Sequence, residues 1–150
     1  MQCRAAQGTA TEICTGGKRL GAMDVERVDA HEELVEKVKR LLRRRGWDIL
    51  VIARLGGWVE AVDFFAFKPD RGVAGIICHV KEGQDYCLRA AQAERCVDWD
   101  SPAYVVYSNG ATIPAKDLAA HGRKEQYAGH HPFYRYIGTN RVYTFNEVFR

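Results

Sequence analysis

The sequence predicts an α/β domain, with a central mixed β-sheet and helices on its faces. Three observations predict it. Residues 30–45 carry one apolar stripe at helical spacing: Leu34, Val35, Val38, Leu41 and Leu42. Two aromatic and β-branched runs, 58–67 and 73–81, flank Lys68-Pro69-Asp70-Arg71-Gly72. That linker reads as a tight turn, because Pro fixes φ, Asp caps its own backbone and Gly accepts positive φ. A second helical pattern at 85–98 then precedes a further strand, Ala103-Tyr104-Val105-Val106-Tyr107.

Each element has its local reason. Residues 1–27 are rich in Gly, Thr, Ala and charge without a sustained period, so they read as a flexible leader before a domain spanning 28–150. Asp29 is the expected N-cap of the first helix, with Glu32 completing a capping box. Gly46 fits the left-handed position that ends the helix, and Trp47 can fold back on its last turn. Asp48–Arg54 is apolar nearly throughout, which predicts an interior strand. In the second helical pattern, Leu88, Ala91, Ala93, Cys96 and Val97 are available for burial. Ser108-Asn109-Gly110 is a turn signal, and Pro114 opens a short helix to residue 120. Tyr134–Ile137 and Arg141–Phe145 flank Gly138-Thr139-Asn140 as a late hairpin.

Composition bounds the function. At 150 residues, with 47% hydrophobic and 27% charged residues, the chain suits one ordinary globular domain. It holds no apolar run long enough for a membrane span, and Met1–Gly8 lacks the apolar core of a signal peptide. An intracellular protein with no membrane partner is expected. Five Cys with no CxxC pair argue against a zinc ribbon and against a secreted disulfide framework, so Cys78, Cys87 and Cys96 read as buried free thiols. The net charge of +3 is mild but uneven. Lys37, Lys39, Arg40, Arg43, Arg44 and Arg45 crowd one helix end, and Arg123, Lys124, Arg135 and Arg141 form a second set. The first set reads either as a solvated face that favours the helix dipole or as a phosphate contact. His121, His130 and His131 lie near Gly129 and Pro132, and adjacent His on irregular chain rarely share one ion.

The residues that need explanation are polar groups set in apolar strands: Asp63 in the first run, His79 and Lys81 in the second. Charged groups there cost free energy unless they are paired or used. In a hairpin they would meet at one end of the sheet, with His79 and Lys81 on one strand face because side chains alternate.

The order helix, strand, acid-bearing strand, x-Lys strand, helix, strand resembles the PD-(D/E)xK nuclease superfamily, whose members have a restriction-endonuclease-like fold. Over roughly residues 28–108 it looks most like the archaeal Holliday junction resolvase branch. Ala30-His31-Glu32-Glu33-Leu34-Val35 opens the matching helix and Gly46-Trp47 ends it. Asp63 matches the metal-binding acid, and His79-Val80-Lys81 stands where the family has an acid-x-Lys. His31 stands where the resolvase branch has a Glu, a place Glu32 or Glu33 takes only if the helix turns by one or two residues.

The resemblance implies a metal-dependent endonuclease acting on DNA, on branched or junction DNA in that branch, and a homodimer. Asp63 and His79 would hold a divalent metal, Mg²⁺ or Mn²⁺, with Lys81 beside the attacking water and Glu33 or His31 completing the catalytic set. Arg43, Arg44, Arg45, Arg135 and Arg141 would contact phosphates. Imidazole in place of a carboxylate favours softer ions over Mg²⁺. Two other readings fit the same residues. One is a catalytically weakened family member that binds nucleic acid or a protein partner without cutting. The other is a metal-independent RNA endonuclease using His79 and Lys81 as acid–base and charge-stabilising groups.

Overall fold

The computed structural model describes residues 22–50, 61–137 and 140–150. Helix α1 (Ala22–Arg44) starts seven residues before Asp29, so Asp29 lies within the helix and is not its N-cap. Residues 1–21 of the expected leader lie outside the described residues. The helix ends as its sequence requires. Gly46 has φ of 87°, and Trp47 N–H donates to Leu42 O at 3.0 Å, a Schellman arrangement.

After α1 come β1 (Asp48–Leu50), β2 (Phe64–Lys68), β3 (Gly72–His79), β4 (Tyr86–Arg89), α2 (Ala90–Arg95) and β5 (Ala103–Tyr107). Then follow β6 (Ala111–Pro114), α3 (Ala115–His121), β7 (Arg123–Glu125), β8 (Phe133–Tyr136), β9 (Tyr143–Thr144) and α4 (Phe145–Val148). Six strands form one mixed sheet in the order β1-β2-β3-β5-β6-β9, and β4-β8-β7 form a smaller sheet. Only the β3–β5 pair is parallel among the described strands. The expected fold class, a central mixed sheet flanked by helices, is what the chain adopts.

The β2–β3 hairpin forms around the expected turn: Arg71 N–H donates to Lys68 O at 2.9 Å and Gly72 has φ of 78°. The turn before β6 also forms, with Gly110 at φ of 92°. The first strand, expected in the interior, is an edge strand among those described, with residues 51–54 lying outside them. Its apolar character follows from cover on both faces: Ile49 packs against one core cluster and Leu50 against the other.

Two further expectations are corrected. Residues 85–98 are not one helix. Tyr86–Arg89 pairs with β8, some 47 residues on, and only Ala90–Arg95 is helical. The late hairpin does not form either. β8 joins the small sheet while β9 adds to the edge of the large one beside β6. Asn140 still closes a local turn, its side chain accepting from Ile137 N–H at 2.8 Å.

The large sheet separates two cores. On one face α1 and α4 cover Phe64, Ala66, Ala74, Ile76, Cys78 and Val106. Each of Leu34, Val38 and Leu42 contributes roughly 2 kcal/mol by burial there. On the other face α2, α3 and the small sheet cover Phe65, Ile77, Val105 and Tyr107. Cys78 and Cys96 are buried free thiols, whereas Cys87, expected to be free, is disulfide-bonded. No helix among the described residues is long and apolar enough to cross a membrane.

Candidate functional site

Asp63 lies one residue before β2, between buried Val62 and Phe64. Its N–H donates to Ile76 O at 2.8 Å, which continues the β2–β3 ladder past its last strand pair. Its carboxylate then takes the next rung: Oδ2 accepts from Cys78 N–H at 2.7 Å. From α1, His31 places Nε2 3.2 Å from Oδ1 and 3.3 Å from Oδ2. The hydrogen bond to Asp63 raises the His31 pKa above its ordinary value, against an opposing effect of burial. The pair ties α1 to the start of the hairpin, and its charge–charge attraction grows as His31 takes up a proton.

Alternation along β3 assigns the remaining residues. Cys78 and Val80 face α1 and pack with Leu34, Val38 and Leu42. His79 and Lys81 face the other way. The His79 ring lies 5.3 Å from the Tyr107 ring, and Tyr107 meets Tyr86 edge-on at 4.9 Å. Burial pushes His79 down to about 4, so it is a neutral imidazole at pH 7, and its Nδ1 is buried without a hydrogen-bond partner. Lys81 lies just beyond the strand. Its Nζ donates to Gly83 O at 2.5 Å and sits 4.9 Å over the Tyr86 ring, and burial lowers its pKa. Its own N–H donates to Ser108 Oγ at 2.9 Å.

The expected set is therefore divided. His31 and Asp63 meet on the α1 side of the hairpin, and His79 and Lys81 sit with Tyr86 and Tyr107 on the other. Glu33 is exposed on α1. Mg²⁺ demands several oxygen ligands in near-octahedral order. Asp63 already accepts a backbone N–H and faces an imidazole. The β3 residues on its side are Cys78, whose thiol burial pushes well up and so keeps protonated, and Val80. Among the described residues no group of three His, Cys, Asp or Glu is placed to hold a metal ion. The donor set among the described residues does not fit the implied metal.

The basic residues divide as well. Arg43 and Arg44 are exposed at the end of α1. Arg45 donates to Leu41 O at 3.3 Å and to Asn146 Oδ1, and lies 5.0 Å over Phe145. Arg141 is exposed, 3.8 Å from Glu147. Arg135 is not a free phosphate contact. Its guanidinium is buried and donates to Glu125 at 3.0 Å, Asp85 at 2.7 Å and Tyr127 at 3.0 Å. Gln92, on α2, bridges to Ala61 O at 3.1 Å. Sequence reasoning missed Cys78, Tyr86 and Ser108 at these clusters. Alternation from His79 does put Cys78 on the opposite face, but only the strand register places it beside Asp63.

No protein-family model matches the chain, and no protein of curated function matches its sequence. Among solved structures it is similar to a Holliday junction resolvase from the archaeal hyperthermophile Archaeoglobus fulgidus. That likeness has a TM-score of 0.49 and 14% identity, and covers 71% of this chain and 83% of the other.

Proposed function

We propose that this chain is a nuclease-fold protein that binds nucleic acid and does not hydrolyse it through a divalent-metal centre. The wiring of Asp63 carries the reading. Metal-assisted hydrolysis needs ligands and an ammonium converging on one phosphate. Here the acid serves as a ladder acceptor and a partner for His31, and its β3 neighbours are Cys78 and Val80. The binding half of the reading is supported by exposed Arg43 and Arg44, which have no carboxylate partner among the described residues.

Incubation with plasmid, linear and four-way-junction DNA in Mg²⁺ and in Mn²⁺ tests it. Retarded, intact DNA is the expected result. Cleavage that disappears on Asp63→Ala restores the metal-dependent endonuclease, and failure to bind any nucleic acid removes the reading.

A second reading rests on a separate observation. His79, neutral at pH 7, shares its face with Lys81 and Tyr86 at the carboxyl end of the parallel β3–β5 pair. That grouping suits metal-independent RNA cleavage. RNA strand scission in EDTA, lost in both His79→Ala and Lys81→Ala, would favour it over the first.

A further inference from the structure

We infer that the turn end of the β2–β3 hairpin, together with the end of α1, is a docking surface for the phosphate backbone of duplex nucleic acid. The inference rests on the nucleic-acid-binding reading and supplies its location and the form of the nucleic acid. That end lies about 17 Å from Asp63, five residues along β2 at about 3.3 Å each.

Two chain segments far apart in sequence bring five cations together there: Arg43, Arg44, Arg45, Lys68 and Arg71. The Gly46–Trp47 bend is the hub. A side chain at Gly46 would meet Lys68 Cε at 3.5 Å, and the Arg71 guanidinium lies 5.5 Å over Trp47. The anchors of Arg71 and Arg45 are neutral, whereas Lys68 reaches the last residue of the sequence. Arg71 donates to Val148 O at 2.7 Å, Lys68 to Arg150 O at 3.3 Å, and Arg45 to Leu41 O and Asn146. Arg43, Arg44, Arg45 and Arg71 are not ion-paired to a carboxylate side chain among the described residues. The ion pairs found belong to Lys39, Arg123, Lys124, Arg135, Arg141 and His31. Exposed Asp48 and Asp70 border the patch and leave it in cationic excess. Here the structure leaves Arg43, Arg44 and Arg71 exposed to solvent.

The aromatic rings of this end decide between duplex and single strand. Trp47, Phe145 and Phe149 are buried and Phe67, beside Lys68, is half-buried, so no ring of this end stands fully exposed. Single-strand binding draws on exposed rings as stacking platforms, whereas binding of duplex backbone needs cations and no stacking ring. The surface therefore fits phosphates on a duplex, read without regard to sequence.

Fluorescence anisotropy against one labelled duplex, and its single strand alone, between about 50 and about 200 mM NaCl tests this. The chain should prefer the duplex. Arg43→Ala with Arg44→Ala, two exposed side chains with no ion pair among the described residues, should flatten the log K against log salt slope by about 1.8, some 0.9 per phosphate contact. Arg43→Lys with Arg44→Lys should keep the slope. Arg123→Ala with Lys124→Ala, cations already paired to Glu125 and Glu94, should also leave it unchanged. Duplex binding with an unaltered slope in the Arg43/Arg44 variant, or tighter binding of the single strand, overturns the surface alone. No binding to either probe at the lowest salt overturns the nucleic-acid reading beneath it.

Discussion

Acid should loosen this fold through one imidazole. His79 has an ordinary value of 6.5 in an unfolded chain, and burial pushes it to about 4 in the folded one. Between those two pH values the unfolded state binds more protons, so stability rises with pH across the window. The contribution is complete above about 6.5 and gone below about 4. At about 1.36 kcal/mol per pH unit, the gap of about 2.5 units amounts to roughly 3 kcal/mol. That figure is a ceiling, since His79 as a whole residue is half-buried while its Nδ1 is fully covered. Urea unfolding followed by tryptophan fluorescence, repeated from pH 7 to pH 4, measures it. Wild type should lose up to that amount relative to His79→Leu, which lacks the titrating group. The raised pKa of His31 acts in the opposite sense, and its positive charge also helps to lower His79, so the comparison is made with His79→Leu, which keeps His31. Its contribution is present below 6.5 and is lost as pH rises through its folded value. Parallel pH profiles for wild type and His79→Leu, or a wild type that gains stability on acidification, would refute the reasoning.

Three further outcomes are expected. Leu42, fully buried between α1 and the sheet, should cost about 2–5 kcal/mol as Leu42→Ala, read from the urea midpoint. Gly46→Ala places a Cβ at φ of 87° and should lower stability by about 1 kcal/mol, with calorimetry reading the lower Tm. Arg135→Ala removes the main partner of the half-buried Glu125 carboxylate but leaves Arg123 at 2.6 Å, and should destabilise by about 1–3 kcal/mol, while anisotropy finds nucleic-acid affinity unchanged at a temperature where the variant is folded.

The parts of the fold that could be read from the chain are those with local causes. The 34, 38, 42 stripe, the Gly46 stop, the Pro69–Gly72 turn and the Gly110 turn each state their geometry within a few residues. The small sheet could not be read this way. Tyr86–Arg89 becomes a strand only because Phe133–Tyr136 arrives beside it, and a short run with helical spacing says nothing of that partner. The placement of Asp63 relative to His79 and Lys81 depends on register and could not be read this way. Period two does put His79 and Lys81 on one face, but a shift of one residue against the neighbouring strand moves a whole side-chain set to the opposite face. Asp63 stops short of β2 and turns its carboxylate to Cys78 N–H, a choice made by the hairpin as a whole. Arg135 belongs to the same class. Its charge is visible in sequence, but Asp85, 50 positions earlier, reaches it only through the β4–β8 pairing.

In the proposed function Asp63 is a structural acid and not a metal ligand. Calorimetric titration of Mn²⁺ into wild type and Asp63→Asn decides it. The account predicts no binding isotherm that depends on Asp63, and a lower unfolding midpoint for the variant in the absence of metal, because the Cys78 rung and the His31 pair are weakened. A single Mn²⁺ site present in wild type and lost in Asp63→Asn, with unfolding midpoints unchanged, would contradict it.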